Sequence, residues 1–316
     1  LGLSAPRERP ANRTRPPAGR PCMRLVATAW LLLCLQRLAP AGCLRAQQPS
    51  AELPPGVPPS RSPFRDVLLV VHCRGKWKLT DEEALGICEQ RRPLFRDYEE
   101  FFGQVMYVNR RDFLGGKGDP HGHLARIMQS EGEKWAGVMY THFDALINPR
   151  TLAEVFDPLA IGTFDDPRSC SLDGEGSLRD CRWNNWKGNM KARFRTAARE
   201  LGPAFLDPST LHLGNDDLFY IPRAAYPSYT RYARVLSEYP LMHEIVGPHI
   251  RAMVVRDSNA TMRRVSFNCT GGCCRVLRYR DLAAPGFRCG HVFDLREEDV
   301  REGFGRLLRG LSLSRG

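Results

Sequence analysis

The stretch GVMYTHFDALIN, Gly137 to Asn148, decides how this chain folds. An apolar run, Val138 to Tyr140, ends in Thr141, His142, Phe143 and Asp144, and a second apolar run, Ala145 to Ile147, follows at once. A short, continuously apolar run reads as a buried strand. In open α/β sheets ligands gather at the carboxyl ends of strands. A carboxylate two residues after a histidine, at such an end, is placed to hold a divalent metal, and a metal held there can carry a diphosphate. The structural alternative is that Asp144 caps the next helix or turn and His142 is a packed polar residue.

The segments around this stretch alternate strand and helix. DVLLVVHC, Asp66 to Cys73, is a strong buried-strand signal, and GQVMYVN, Gly103 to Asn109, reads as a second strand. Between them, TDEEALGICEQRRPLFRDYEEFF has helical spacing with acids near its start, as a helix N-terminus prefers. His123 to Gly132 is predicted helical. Alternation of this kind predicts an α/β fold with a mostly parallel central sheet and flanking helices. The second half is less regular. A helix is predicted from about Lys187 to Leu201, a strand in DDLFYIPR that Pro222 stops, and a helix between Pro227 and Pro240. LMHEIVGPHIRAMV reads as a further helix, bent or restarted at Pro248. An amphipathic helix, Glu297 to Leu308, closes the chain.

Of the 316 residues, the first sixty are rich in Pro, Arg and Ala; they carry eight arginines against Glu8 and Glu52. About six of the eleven net positive charges therefore sit in this segment, and the body is only mildly basic. That argues against a nucleic-acid partner, for which a basic stripe with interleaved aromatics is expected. Residues 1–46 read as a basic leader. Met23 and Arg24 precede the apolar core Leu25 to Leu35, the pattern of a signal peptide or, if the preceding arginines are translated, a signal-anchor. Any membrane attachment is expected only there. Residues 47–63 are a Pro-rich linker, and residues 64–316 suit one large domain.

Eight cysteines follow residue 46: Cys73, Cys88, Cys170, Cys181, Cys269, Cys273, Cys274 and Cys289. An even count in a chain bound for the secretory pathway predicts disulfides, with Cys170 and Cys181 the easiest pair. The alternative is a zinc cluster of Cys269, Cys273, Cys274, Cys289 and His291, although its spacing lacks a C-x-x-C knuckle. Asn259-Ala260-Thr261 and Asn268-Cys269-Thr270 are glycosylation sequons, meaningful only on the surface.

The order DVLLVVH, QVMYVN and GVMYTHFDALIN resembles a glycosyltransferase of the GT-A, nucleotide-diphosphosugar transferase type, across about Phe64 to Leu295. The resemblance implies a GT-A, Rossmann-like domain in the Golgi lumen or secreted. Its donor would be a nucleotide-diphosphate sugar, its acceptor a glycan or glycoprotein, its cofactor Mn²⁺ or Mg²⁺. The family's Asp-x-Asp metal motif is here His142-Phe143-Asp144, so the first carboxylate is replaced and imidazole favours Mn²⁺. CGHVFDL, Cys289 to Leu295, resembles the late histidine that reaches back to the metal, which makes His291 a third ligand. LGNDDLFYIPR resembles the acceptor-side strand, with Asp216 as an acceptor contact and Asp217 as a base; a plain turn is the other reading. Glu244 stands where inverting members carry their catalytic base, or else it complements a helix dipole. Arg74 and Lys76, just past the first strand, would meet the nucleotide, or form an ordinary basic turn. Trp183 and Trp186 would stack on a sugar, or fill the core. Two other functions compete with transfer: a non-catalytic nucleotide-sugar or glycan binder on the same fold, and a secreted structural protein. No G-x-S-x-G elbow is present to suggest a hydrolase.

Overall fold

The computed structural model describes residues 89, 92–109, 120–166, 168–171, 190–205, 210–259, 261–272, 275–311, 313 and, at the start, 62–73. The leader, the linker up to residue 61, Arg74, Lys76, Trp183, Trp186 and the Cys170–Cys181 pairing lie outside what it describes. So does most of the helix expected after the first strand. Its described tail is helical over 92–95 and then 3-10 over Arg96–Glu100.

In chain order the elements are β1 (Val67–Cys73), β2 (Gln104–Asn109), α1 (Pro120–Glu131), β3 (Gly137–His142), β4 (Ala145–Ile147), α2 (Pro149–Leu152), β5 (Ile161–Thr163) and β6 (Arg168–Ser171). They continue with α3 (Met190–Leu201), β7 (Thr210–Leu213), β8 (Leu218–Pro222), α4 (Tyr226–Ser237), α5 (His243–Asp257), β9 (Arg264–Ser266), α6 (Tyr279–Leu282), β10 (Cys289–His291) and α7 (Glu298–Leu308). The central sheet has six strands in the order β2-β1-β3-β8-β5-β9. β1 pairs parallel with both β2 and β3, and β5 parallel with β9; β8 lies antiparallel between β3 and β5. Five strands thus share one direction and β8 alone opposes them. β4 pairs with β10, and β6 with β7, in two small antiparallel ribbons.

Alternation along the strands builds a core on each face. Leu68, Val70, Val138, Tyr140, Phe219 and Ile221 point to one side, against α1, α3, α4 and α5. Val67, Leu69, Val71, Met139, Leu218 and Tyr220 point to the other, against Phe95, Tyr98, Phe304 and the C-terminal segment. Strands covered on both faces need apolar residues at every position, which is why these runs are continuous rather than alternating.

Two helices depart from expectation. α1 begins at Pro120, not His123, because proline is suited to the first helical position, where its missing N–H has no helical partner anyway. α5 is one continuous helix across Pro248 and does not restart there. A proline there removes the bond to the carbonyl four residues back. That carbonyl, of Glu244, accepts instead from the Gly214 N–H at 3.3 Å. Among the described residues no helix is long and apolar enough to cross a membrane.

Cys269 and Cys289 form a disulfide. The alternative zinc cluster that uses both thiols is thereby excluded. Cys73 is disulfide-bonded as well. Asn259 and Asn268 are both exposed, as sequons require.

His249 on α5 sits fully buried, stacked on Phe205 and edge-on to Phe194. Its Nδ1–H donates to the Ile245 carbonyl at 2.8 Å and its Nε2 accepts from the His212 N–H at 3.2 Å. Burial, with His212 nearby, pushes its pKa down to about 3. An unfolded histidine titrates at about 6.5, so between these values the unfolded chain binds more protons. The stability from a neutral His249 is complete above that range and is lost as pH falls. In chemical denaturation at pH 6, 5 and 4, the stability of the wild type should fall towards that of His249→Leu by up to about 1.4 kcal/mol per pH unit. A pH-independent gap would contradict this.

Candidate metal centre

β-ladder register assembles the site. β3 pairs with β8 so that Thr141 faces Leu218, and the His142 N–H extends the ladder by donating to the Asp217 carbonyl at 2.9 Å. The two side chains then meet, with His142 Nδ1 3.1 Å from Asp217 Oδ1. On the far side of the turn, β4 pairs with β10, setting His291 opposite Ala145, and the Phe293 N–H donates to the Asp144 carbonyl at 3.1 Å. His291 therefore reaches both carboxylates: Nε2 is 3.4 Å from Asp144 Oδ1 and Nδ1 is 3.0 Å from Asp217 Oδ2. The first turn of α5 adds His243, whose Nε2 is 3.7 Å from Asp217 Oδ1 and whose Nδ1 is 3.5 Å from Glu244 Oε2.

Asp144, Asp217, His142 and His291 are all buried, and Glu244 is the most open of the group at 20 % side-chain exposure. Despite the short separations, both nitrogens of His291, Nε2 of His142 and Nε2 of His243 have no aligned hydrogen-bond partner. Ring nitrogens and carboxylate oxygens thus converge at 3.0–3.7 Å, separations compatible with ligands of a common cation. Among the described residues two groups meet the distance requirement for a metal: His142, Asp144 and His291, and His142, Asp217 and His243.

Burial sets the electrostatics. It pushes His142 down to about 4 against the pull of Asp217, so the ring is neutral and keeps a lone pair. For His243, burial opposes the charge but Glu244 and Asp217 outweigh it, raising the ring to about 9. For His291, burial is likewise outweighed, by Asp144 and Asp217, again to about 9. Asp217 is held well below the usual carboxylate range: its burial is overcome by His142, His243 and His291.

The sequence candidates are thereby sorted. His142, Asp144 and His291 come together with Asp217, and Glu244 stands at the rim. Asp216 is not at the acceptor side. It is fully buried, ion-paired with the Arg251 guanidinium and 2.7 Å from His121 Nε2. Asp216 turns to α1 and α5, whereas Asp217, at a bend just before β8, turns to the histidines of the site. His243 was missed: beside Glu244 it read as part of a helix start. His72 was missed as well; it bonds the Tyr140 hydroxyl at 2.6 Å, as His121 bonds that of Tyr229 at 2.7 Å. Just beyond His291, Val292 holds φ +76°. For a β-branched residue this left-handed conformation is strained, a feature that clusters at functional sites.

No protein-family model matches the chain, and no curated protein is similar to it.

The Asp216–Arg251 pair gives a stability test. Arg251→Met leaves a buried carboxylate with only His121, and should cost about 3–5 kcal/mol in urea unfolding. Adding Asp216→Asn should recover part of that loss. Equal stabilities of wild type and Arg251→Met would remove the pair from this role.

Proposed function

We propose that the chain is a metal-dependent glycosyltransferase of the GT-A type. It would transfer a sugar from a nucleotide-diphosphate sugar to a glycan or glycoprotein in an oxidising compartment of the secretory pathway. The observation that carries this reading is the convergence of His142, Asp144, Asp217 and His291 at the carboxyl end of β3, in a mostly parallel sheet. Open α/β sheets bind their ligands at such an edge. The disulfide of Cys269 with Cys289 and the exposed sequons support the compartment.

The donor set fits a divalent cation of borderline character. Imidazoles beside carboxylates suit Mn²⁺ better than Mg²⁺, which prefers oxygen ligands. His142, Asp144 and His291 would hold it, and when bound it would neutralise the leaving diphosphate. Asp217 would orient His291 and His142 from behind, the carboxylate–histidine arrangement common around metals. Three histidines surround Asp217, so Glu244 is the better base for the acceptor hydroxyl. Its Oε2 lies 3.5 Å from His243 Nδ1 without an aligned hydrogen bond, and its side chain is the most exposed of the group. Asp144 and the neutral His142 would bind, while Glu244 would take up the acceptor proton.

Calorimetric titration of the full chain with UDP and GDP, with and without Mn²⁺, tests the reading. One nucleotide should bind only with Mn²⁺, and Asp144→Ala should weaken it about 100-fold or more, roughly 2.7 kcal/mol. No binding of either nucleotide to folded protein would sink the proposal. Once the donor is known, Glu244→Gln should slow transfer by about 10²–10⁴-fold with nucleotide affinity unchanged. Binding without transfer by the wild type would instead support a non-catalytic nucleotide-sugar binder.

A further inference from the structure

We infer that the centre takes two divalent cations, the second held by Asp217 and His243 beside the first at Asp144 and His291. The inference rests on the metal-centre part of the preceding proposal and not on sugar transfer.

Three observations carry it. First, the two oxygens of Asp217 face different histidines. Oδ1 lies 3.1 Å from His142 Nδ1 and 3.7 Å from His243 Nε2, whereas Oδ2 lies 3.0 Å from His291 Nδ1. Oδ2 suffices to hold His291 in place, which leaves Oδ1 turned to the His142 and His243 side of the cluster. Secondly, the two ligand groups overlap only at His142. One ring nitrogen serves one ion. Whichever cation takes His142, each still keeps a carboxylate and an imidazole of its own: Asp144 with His291, and Asp217 with His243. Two protein ligands suffice where water and substrate oxygens complete the shell. Thirdly, His243 Nε2 is buried without an aligned hydrogen-bond partner, although Asp217 is close by.

The separations fit coordination. Ligand atoms about 2.1 Å from one ion are about 3.4 Å apart at tetrahedral angles and about 3.0 Å apart at right angles. Asp144 Oδ1 to His291 Nε2 is 3.4 Å, and His142 Nδ1 to Asp217 Oδ1 is 3.1 Å. Asp217 Oδ1 to His243 Nε2, at 3.7 Å, is slightly wider and closes by a small shift of either side chain. In two-metal sites the ions stand about 3.5–4 Å apart and clamp both the attacking and the leaving oxygen. Here the second ion would stand on the Glu244 side, where an acceptor hydroxyl would enter.

Mn²⁺ titration of the full chain, followed by electron paramagnetic resonance, counts the ions directly. The wild type should bind two equivalents and give an exchange-coupled signal at saturation. Folded His243→Ala and His243→Gln should each bind one equivalent with an uncoupled signal, and Asp144→Ala should also keep one. One equivalent in the wild type, kept in the His243 variants, overturns the second site and leaves the first standing. One equivalent that the His243 variants lose also overturns it, because a lone ion then sits at Asp217. No binding at all removes the metal centre itself. Circular dichroism melts of the variants identify any that are unfolded, and His243→Gln, which keeps a polar side chain, stands in if His243→Ala fails to fold.

Discussion

The site depends on the adjacent pair Asp216 and Asp217, which carry two charges into the interior, one to the helices and one to the histidines. Burying a carboxylate is costly unless it is paired and hydrogen-bonded. Asp216 meets this demand with Arg251 from α5 and His121 from α1. His121 passes the connection on to Tyr229 of α4. Three helices are thereby tied to the strand end from which Asp217 projects. Gly247 makes the approach possible: a Cβ there would collide with the Asp216 carboxylate, so the glycine lets α5 come close enough for Arg251 to reach. The carboxylate paired with Arg251 and the carboxylate that faces the three histidines are thus one residue apart. The helical layer cannot shift without moving Asp217.

What the sequence made legible follows from length. The strands β1, β2, β3 and β8 are long enough, and apolar enough on both faces, to announce themselves. β5, β9 and β10 have three residues each, too few for any periodicity. Their pairing is set by neighbours far away in sequence. The reversed strand β8 shows the same limit, since a buried run carries no mark of its direction. A sheet read as parallel from its first half therefore acquires an opposing strand in its middle.

The site was legible in part for a different reason. His142 and Asp144 stand two residues apart at a strand end, so local spacing suffices to find them. His291 was joined to His142 and Asp144 only through resemblance, the residues alone having grouped it with the cysteines, because the ladder between β4 and β10 joins segments with no common pattern. His243 and Arg251 left no signal at all. A histidine before a glutamate at a helix start, and an arginine within a helix, are ordinary surface chemistry until the tertiary structure turns them inward. Asp216 erred in the opposite sense: an Asn-Asp-Asp run reads as a solvated turn, yet two packed helices close over it.

The placement of His291 sets the most severe requirement. β10 and β4 form a ribbon of three paired positions, and a pair of strands this short is marginal by itself. Its ends are secured by other means. The Tyr98 hydroxyl accepts from the Ile147 N–H at 2.7 Å and donates to the Ile147 carbonyl at 3.1 Å, satisfying the end of β4. The Cys269–Cys289 disulfide closes a separation of 20 residues two positions before His291. In the chain-entropy view such a loop contributes roughly 3 kcal/mol by restricting the unfolded chain. That is comparable to the upper end of the strain of order 1–3 kcal/mol expected where Val292 turns left-handed just beyond His291. A histidine required within about half an ångström of its place cannot depend on three residue pairs alone. The covalent link, the tyrosine and the strained turn together fix the imidazole between Asp144 and Asp217.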